Sequence, residues 1–522
     1  MSTMLNGAKP TLIYDGKVMD AAQLERVVHG FAAALHALGL RRDDRLALWL
    51  PNCPAWLIAH LAACQLGVMT MAVNTRFRSA EVEDVLARSG ASALLYWPGF
   101  LGIDFDAILA DIEVDALASL RHIVVYREDG KPVPRQVSGR PAHDYHDLVR
   151  FDALAIAPEP RADDGCILFT TSGTTGVPKL ALHARASIAD HADIVAPAFG
   201  YADPDTTLLQ ALPLCGTFGH AQAMAGLRAG ARLVLMSAFS LERALDLIRD
   251  YRVTRLNGAD SMFEDMWASG RAGDLASVLG GGFAAFVTPD PEDFASRAEQ
   301  HGLEMFGLYG MSEVQALFSR QAPGSPVEKR AHGGGRPVAP AAAFRICDPD
   351  TGALMPVRTA GELQLKGPSM MREYFGNPEA TAGALTADGF LRTGDLAHDE
   401  GDGRFRYLAR MGDSLRLGGF IASPAEIEAY IDRHPSVETS QVVGVDSSRG
   451  TVPVAFVLPA RDAAFDADAL AAHSAHGLAR YKVPVRFVAV TSFPTTPSPN
   501  GEKIQRVKLR EMAAELLRER SD

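Results

Sequence analysis

The chain has 522 residues, 47% of them hydrophobic and 22% charged, with a formal net charge of -12. This length exceeds what one ordinary hydrophobic core serves and predicts two or more domains. The acidic balance excludes a surface built to coat nucleic acid, and the most apolar region, 46–73, is broken by Pro51, Asn52, Pro54, His60 and Gln65, which excludes a membrane span.

In chain order, Leu24, Val27, Val28, Phe31, Leu35 and Leu38 mark one face of a helix. A strand follows over 45–50, then a helix carrying Trp56, Leu57, Leu61 and Cys64. Short buried strands are predicted at 94–97, 123–126, 166–169 and 232–236, and an amphipathic helix at Leu241, Ala244, Leu245 and Ile248. Such alternation predicts α/β layers with largely parallel sheets. Beyond Arg410 the texture changes. Gly412, Gly418 and Gly419 punctuate a short segment. A helix from Pro424, strands at 441–445 and 454–458, an Ala-rich helix at 468–479 and a strand at 486–490 then make a small α+β unit of roughly a hundred residues. The boundary falls at Asp413, giving a large α/β domain over 1–412 and a small one over 413–522. Five scattered cysteines, with no C-x-x-C pair and no N-terminal apolar stretch of signal-peptide length, predict a reducing cytoplasm. His143 and His146, three apart without further ligands nearby, read as surface histidines.

The most informative stretch is Phe-Thr-Thr-Ser-Gly-Thr-Thr-Gly-Val-Pro-Lys, 169–179, directly after the apolar run 166–169. Glycines let backbone N–H groups turn toward an anion, hydroxyls donate further hydrogen bonds, and Lys179 adds a point charge. That combination makes a polyphosphate cradle. The G-x-x-x-x-G-K-[ST] spacing of the common P-loop is absent, because Gly173 and Gly176 stand three apart and Pro178 precedes Lys179. Taken alone, the stretch also reads as a Ser/Thr/Gly-rich surface turn.

The string resembles the phosphate-binding signature of the adenylate-forming enzymes, which include acyl- and aryl-CoA synthetases, amino-acid adenylation domains and luciferases. Further pieces follow in that family's order over nearly the whole chain, among them 361–363, 367–368 and 481–484. The resemblance implies that Thr171, Ser172, Gly173, Thr174, Thr175, Gly176 and Lys179 hold the nucleotide's phosphates. Tyr309-Gly310-Met311-Ser312-Glu313 resembles the family's Tyr-Gly-x-Thr-Glu motif, with Ser312 in place of threonine. By that likeness Tyr309 packs on adenine, Ser312 contacts the α-phosphate and Glu313 binds magnesium. Asp395, in 389–395, corresponds to the acid that accepts the ribose hydroxyls, and Arg410 to an arginine that also reaches the ribose. Asp413 matches the interdomain hinge acid, although glycine stands at 412 where the family carries lysine. Gly418, Gly419 and Phe420 fall on the CoA side. Lys503 matches the catalytic lysine of the mobile C-terminal domain, with Glu502 where relatives have glycine.

The implied enzyme is an ATP-dependent acid–thiol ligase. It would convert a carboxylic acid to an acyl-adenylate with loss of pyrophosphate, Lys503, Glu313 and Thr174 being its catalytic residues. It would then pass the acyl group to coenzyme A, using ATP, Mg2+ and CoA. The acyl pocket would be lined by Gly216, Phe218, His220, Gly282, Phe283 and Gly307. Gly216 leaves space where relatives often carry a bulky gate, and Phe283 narrows what Gly216 widens. The absence of an acid in 214–218 predicts an uncharged, largely apolar acyl or aryl group. Two rivals stand beside this reading: a ligase loading a carrier protein, and a nucleotide-binding protein without ligase turnover, to which Gly412, Glu502 and Gly216 point. No nucleic acid or membrane partner is expected, and a homodimer is left open.

Overall fold

The computed structural model describes residues 5, 7–151, 160–171, 178–284, 291–349, 351–411, 415–417, 420–422, 424–447, 450–461, 463–498 and 501–518. They divide into two compact units. The described residues of Met1–Thr75, Asp84–Thr170 and Leu180–Met411 form the first, and those of Arg76–Glu83, Thr171–Lys179 and Gly412–Asp522 the second.

The first unit is layered α/β. Its central sheet runs in the spatial order Glu373–Tyr374, Lys179–Ala184, Gly165–Thr171, Met69–Ala72, Arg45–Trp49, Ala93–Tyr96, His122–Val125, Arg140–Asp144, Gln136–Val137. From Gly165–Thr171 to Arg140–Asp144 the neighbours are parallel. All but the edge-side Arg140–Asp144, which is polar and partly exposed, are largely buried on both faces, which is why they read as mainly apolar runs in the sequence. The helix Ala21–Ala37 starts in a capping box: Gln23 N–H donates to Asp20 Oδ1 at 2.8 Å and Asp20 N–H to Gln23 Oε1 at 2.9 Å. Leu38, expected on its face, is its C-cap. The next helix, Pro54–Leu66, opens with proline in its first turn and stops at Gly67 in the left-handed region, φ 69°. It is buried nearly all round, as its lack of a polar face requires.

A second sheet begins with the parallel strands Gly258–Ala259, Gly280–Ala284 and Glu304–Met311. It continues antiparallel through Gln315–Arg320, Gly334–Pro337, Phe405–Arg410, Leu391–Asp399, Gly361–Lys366 and Ala343–Cys347. A four-stranded sheet joins Thr207–Gln210 and Arg232–Leu235 to the N-terminal hairpin Thr11–Tyr14 and Lys17–Met19.

The second unit has a three-stranded sheet, Val437–Ser447, Gly450–Pro459 and Arg486–Ala489, two two-stranded ladders, Leu415–Leu417 with Phe420–Ala422 and Thr495–Ser498 with Gly501–Ile504, and helices Pro424–Ile431, Ala467–Gly477 and Arg506–Arg518. The first two strands of the three-stranded sheet extend well past the expected 441–445 and 454–458 and form one long hairpin. Within this unit Lys482 is buried, and its ammonium donates to Glu81 Oε1 at 2.8 Å and Glu426 Oε1 at 2.6 Å. Burial disfavours that charge, but the neighbouring Tyr481, Glu81 and Glu426 together raise the ammonium above its ordinary range.

Candidate active site

Tyr309 lies near the end of the strand Glu304–Met311, whose pairing with Gln315–Arg320 slips between Tyr309 and Met311. The irregularity turns the chain sharply through Ser312 and Glu313, and Val314 N–H closes onto the Met311 carbonyl at 3.2 Å. The Tyr309 phenol is buried against Phe405 and Tyr407, with ring centroids 5.4 and 5.9 Å away. Its hydroxyl donates to Asp395 Oδ2 at 2.5 Å. Asp395 follows Gly394, whose φ of 67° suits a residue without a Cβ. Thr393 fixes the acid: Asp395 N–H donates to its hydroxyl at 3.1 Å, and that hydroxyl donates to the Leu363 carbonyl at 2.6 Å. Two motifs 86 residues apart thus meet through one charge-assisted hydrogen bond. Arg410 sits opposite Asp395 in the adjacent strand.

Glu313 is buried, and Tyr374 donates its hydroxyl to Glu313 Oε1 at 2.7 Å. The Glu313 carbonyl accepts from Met371 N–H at 2.6 Å. His183, on the strand Lys179–Ala184, donates Nε2–H to the Ser312 carbonyl at 2.6 Å, and His191 does the same to the Ala316 carbonyl at 2.7 Å. Burial lowers both imidazoles to about 4, against the opposing pull of those carbonyls, so both rings are neutral at pH 7. Beyond Glu313, Gln315 and Leu317 take φ of 62° and 65°. Non-glycine residues there cost on the order of 1–3 kcal/mol each. Gln315 is held by Nε2–H bonds to the Ser187 carbonyl and hydroxyl at 3.1 and 3.2 Å. The turn bearing Ser312 and Glu313 is therefore strained and pinned from both sides. His183, His191 and Tyr374 carried no pattern of their own in the sequence, whereas Thr393 lies within the 389–395 motif.

The segments expected to line an acyl pocket are tied by buried amides. Gly282 N–H donates to Asn257 Oδ1 at 2.7 Å, Asn257 Nδ2–H to Gln222 Oε1 at 2.9 Å, and Gln222 Nε2–H to Gln210 Oε1 at 3.0 Å. Gln210 Nε2–H donates to the Leu212 carbonyl at 2.7 Å, and Asn52 Oδ1 accepts from Leu214 N–H at 2.8 Å. Gln210 and Gln222 sit in otherwise apolar stretches, which is the only sign the sequence offered; Asn52 and Asn257 carried none. Gly216 is the N-cap of the helix Thr217–Ala229, with Phe218 half-buried in its first turn. A Cβ on Gly216 would meet nothing nearer than the Pro213 carbonyl at 3.6 Å, whereas one on Gly307 would lie 2.1 Å from the His332 carbonyl.

Two expectations change. Phe283 does not narrow a space near Gly216: it packs in the core with its ring centroid 4.5 Å from Phe294, because alternate residues of a strand face opposite ways and Gly282 takes the side toward Asn257 and Leu308. His220 is 1% exposed and lies in the interior, Nε2 3.2 Å from His60 Nε2 and its ring centroid 5.2 Å from that of Phe169.

Thr171 ends the strand Gly165–Thr171 and is buried, and Lys179 opens the strand Lys179–Ala184. Ser172, Gly173, Thr174, Thr175, Gly176, Asp413, Gly418 and Gly419 lie outside the described residues. Lys503 is in the strand Gly501–Ile504, opposite Thr496 of a two-stranded hairpin, and Phe420 opens the strand Phe420–Ala422.

Residues 4–375 match the family described as AMP-binding enzyme, and residues 426–499 the AMP-binding enzyme C-terminal domain. The chain is 33% identical over 511 residues to 3-[(3aS,4S,7aS)-7a-methyl-1,5-dioxo-octahydro-1H-inden-4-yl]propanoyl:CoA ligase of Mycobacterium tuberculosis, covering 96% of this chain and 95% of that protein. It is 32% identical to the feruloyl-CoA synthase of an Amycolatopsis species, covering 93% and 92%. Among solved structures, o-succinylbenzoate CoA synthetase of Bacillus subtilis superposes with a TM-score of 0.81 at 24% identity, covering 97% of each chain.

Proposed function

The chain belongs to the AMP-binding enzyme family, and from that premise we propose that it is an ATP-dependent ligase joining a largely apolar carboxylic acid to coenzyme A. The observation that carries this reading is the bond from Tyr309 to Asp395 beside a pinned Glu313. It makes one polar site of the groups that a nucleotide base, ribose and metal-bound phosphates need.

A carboxylate is a poor electrophile because oxide would have to leave. In the first half-reaction its oxygen attacks the α-phosphorus of ATP. The bond from that phosphorus to the bridging oxygen breaks, and pyrophosphate departs. In the second, the sulfur of CoA attacks the acyl carbon, the bond to AMP breaks, and the thiol proton passes to solvent. Tyr309 and Asp395 would hold adenine and ribose, with Arg410 beside them. Ser312 and the signature from Thr171 to Lys179 would donate to the phosphates. Glu313, a carboxylate held by Tyr374, offers the hard oxygen donor that Mg2+ prefers. When bound, that ion offsets phosphate charge. Lys503 supplies an ammonium between the acid and the α-phosphate.

The reading divides the chain into domains 1–412 and 413–522 that pivot at Asp413, exchanging Lys503 for Gly418, Gly419 and Phe420 between half-reactions. The acid is an uncharged acyl or aryl carboxylate, admitted by the open space at Gly216 and bounded by Phe218, Gly282 and Gly307. The five cysteines stand free, which suits the reducing cytoplasm in which we place the reaction. A homodimer is not required by this chemistry, and light scattering tests for it.

The test is a panel of carboxylic acids incubated with ATP, Mg2+ and CoA and read by mass spectrometry. Acid-dependent AMP and an acyl-CoA are expected. AMP without thioester until a holo-carrier protein is added would move the reading to a carrier-loading ligase, and no AMP with any acid would remove ligase turnover.

A further inference from the structure

The core between the helix Pro54–Leu66 and the strand Gly165–Thr171 contains a cluster that the ligase chemistry does not use. His60 and Cys64 are four residues apart on one helical face, and Cys166 reaches them from the strand. All three are buried, and their donor atoms lie within 4.8 Å of one another. Cys64 Sγ is 3.3 Å from Cys166 Sγ and 3.9 Å from His60 Nε2. His60 Nδ1 is 3.0 Å from Thr70 Oγ1, so a proton donated there leaves the Nε2 lone pair turned toward the thiols. His220 Nε2 lies 3.2 Å from His60 Nε2. Trp56 and Phe169 pack on these rings and close the place to water.

Tetrahedral zinc, with bonds of about 2.3 Å to sulfur and about 2.0 Å to nitrogen, spaces sulfur from sulfur by roughly 3.8 Å, sulfur from nitrogen by roughly 3.5 Å and nitrogen from nitrogen by roughly 3.3 Å. The sulfur–sulfur and sulfur–nitrogen separations above fall within half an ångström of those. The two sulfurs are also well beyond the roughly 2.05 Å of a disulfide. Charge selects among soft cations. Two thiolates neutralise a divalent ion in a dry interior, whereas a monovalent one would leave a buried negative charge. We propose that His60, Cys64 and Cys166 bind one zinc ion as a structural site. Both thiol protons leave to solvent on binding, so uptake weakens in acid. The ion clips the helix Pro54–Leu66 to the strand that leads into Thr171.

The full chain, purified from zinc-supplemented culture and dialysed against metal-free buffer, should carry one zinc per chain by plasma mass spectrometry. Cys64→Ser and Cys166→Ser should lose it, while Cys347→Ser, at a buried cysteine elsewhere, should keep it. Anaerobic reconstitution of the wild-type protein with Co2+ should give thiolate-to-metal charge-transfer absorption and the intense visible bands of a tetrahedral ion. This measurement decides the matter even if the serine variants fail to fold. Wild-type protein that holds no zinc and shows no charge transfer with Co2+ overturns the proposal. So does zinc retained undiminished by both serine variants, copper in its place, or a Cys64–Cys166 disulfide found by peptide mapping.

Discussion

Two parts of the first unit, both proposed above to face a ligand, are built by opposite means. Around Tyr309, Glu313 and Asp395 the site is made of side chains, each held by another: Tyr309 by Asp395, Glu313 by Tyr374, Asp395 by Thr393, and the Ser312 carbonyl by His183. Around Gly216, Gly282 and Gly307 the backbone is held by Asn52, Gln210, Gln222 and Asn257, and a Cβ would find room at Gly216 but would lie 2.3 Å from Leu308 at Gly282 and 2.1 Å from the His332 carbonyl at Gly307. The difference teaches that the polar groups of the proposed nucleotide site are each held by a partner, while the proposed choice of acid turns on the one open position, Gly216.

The largest expected effect sharpens the first half of that comparison. Lys503→Ala should slow acyl-adenylate formation by a factor of about a hundred to a thousand, the loss typical of one preorganised donor. It should leave thioester formation from supplied acyl-AMP nearly unchanged. Equal loss in both half-reactions, measured by pyrophosphate release and by acyl-CoA formation, would break the assignment. Next, Tyr309→Phe removes a hydrogen bond to a carboxylate, worth about 1.5–3 kcal/mol. KM for ATP should rise roughly ten- to a hundredfold while KM for CoA holds.

The third effect is pH-dependent. His183 and His191 have pKa values lowered on folding from 6.5 to about 4, so the unfolded chain takes up protons more readily than the native one. Their contribution is complete above pH 6.5 and is lost as pH falls toward about 4, roughly 2 kcal/mol per ring between pH 7 and pH 5. Denaturant midpoints across that range check it, and His191→Gln should flatten the slope.

The smallest effects separate the two kinds of glycine. Gly307→Ala should cost about 1–3 kcal/mol, because its methyl meets a backbone carbonyl that cannot step aside. Gly216→Ala should leave the melting temperature unchanged and lower turnover of the bulkiest acids in the panel. A reversed pattern, with Gly216→Ala unstable and Gly307→Ala neutral, would undo the contrast.

The sequence by itself determined the layered α/β class, the small C-terminal unit, and Tyr309, Glu313 and Asp395 as the groups to watch. The class and the unit follow from local facts, apolar runs that must be buried strands and a change of texture beyond Arg410, while the three residues follow from the resemblance of their motifs to those of the adenylate-forming enzymes. Only the tertiary structure decided which way Phe283 faces, that His220 belongs to the interior beside His60, and that His183 and His191 pin the turn after Tyr309. The physical reason is register. Adjacent strand residues point to opposite faces, so a one-residue difference in pairing exchanges a lining residue for a core one, and that pairing is set by neighbours far away in the chain. Buried polar partners such as Asn257 or Tyr374 depend on the same long-range contacts, because a side chain's bond is defined only once packing has placed an acceptor beside it.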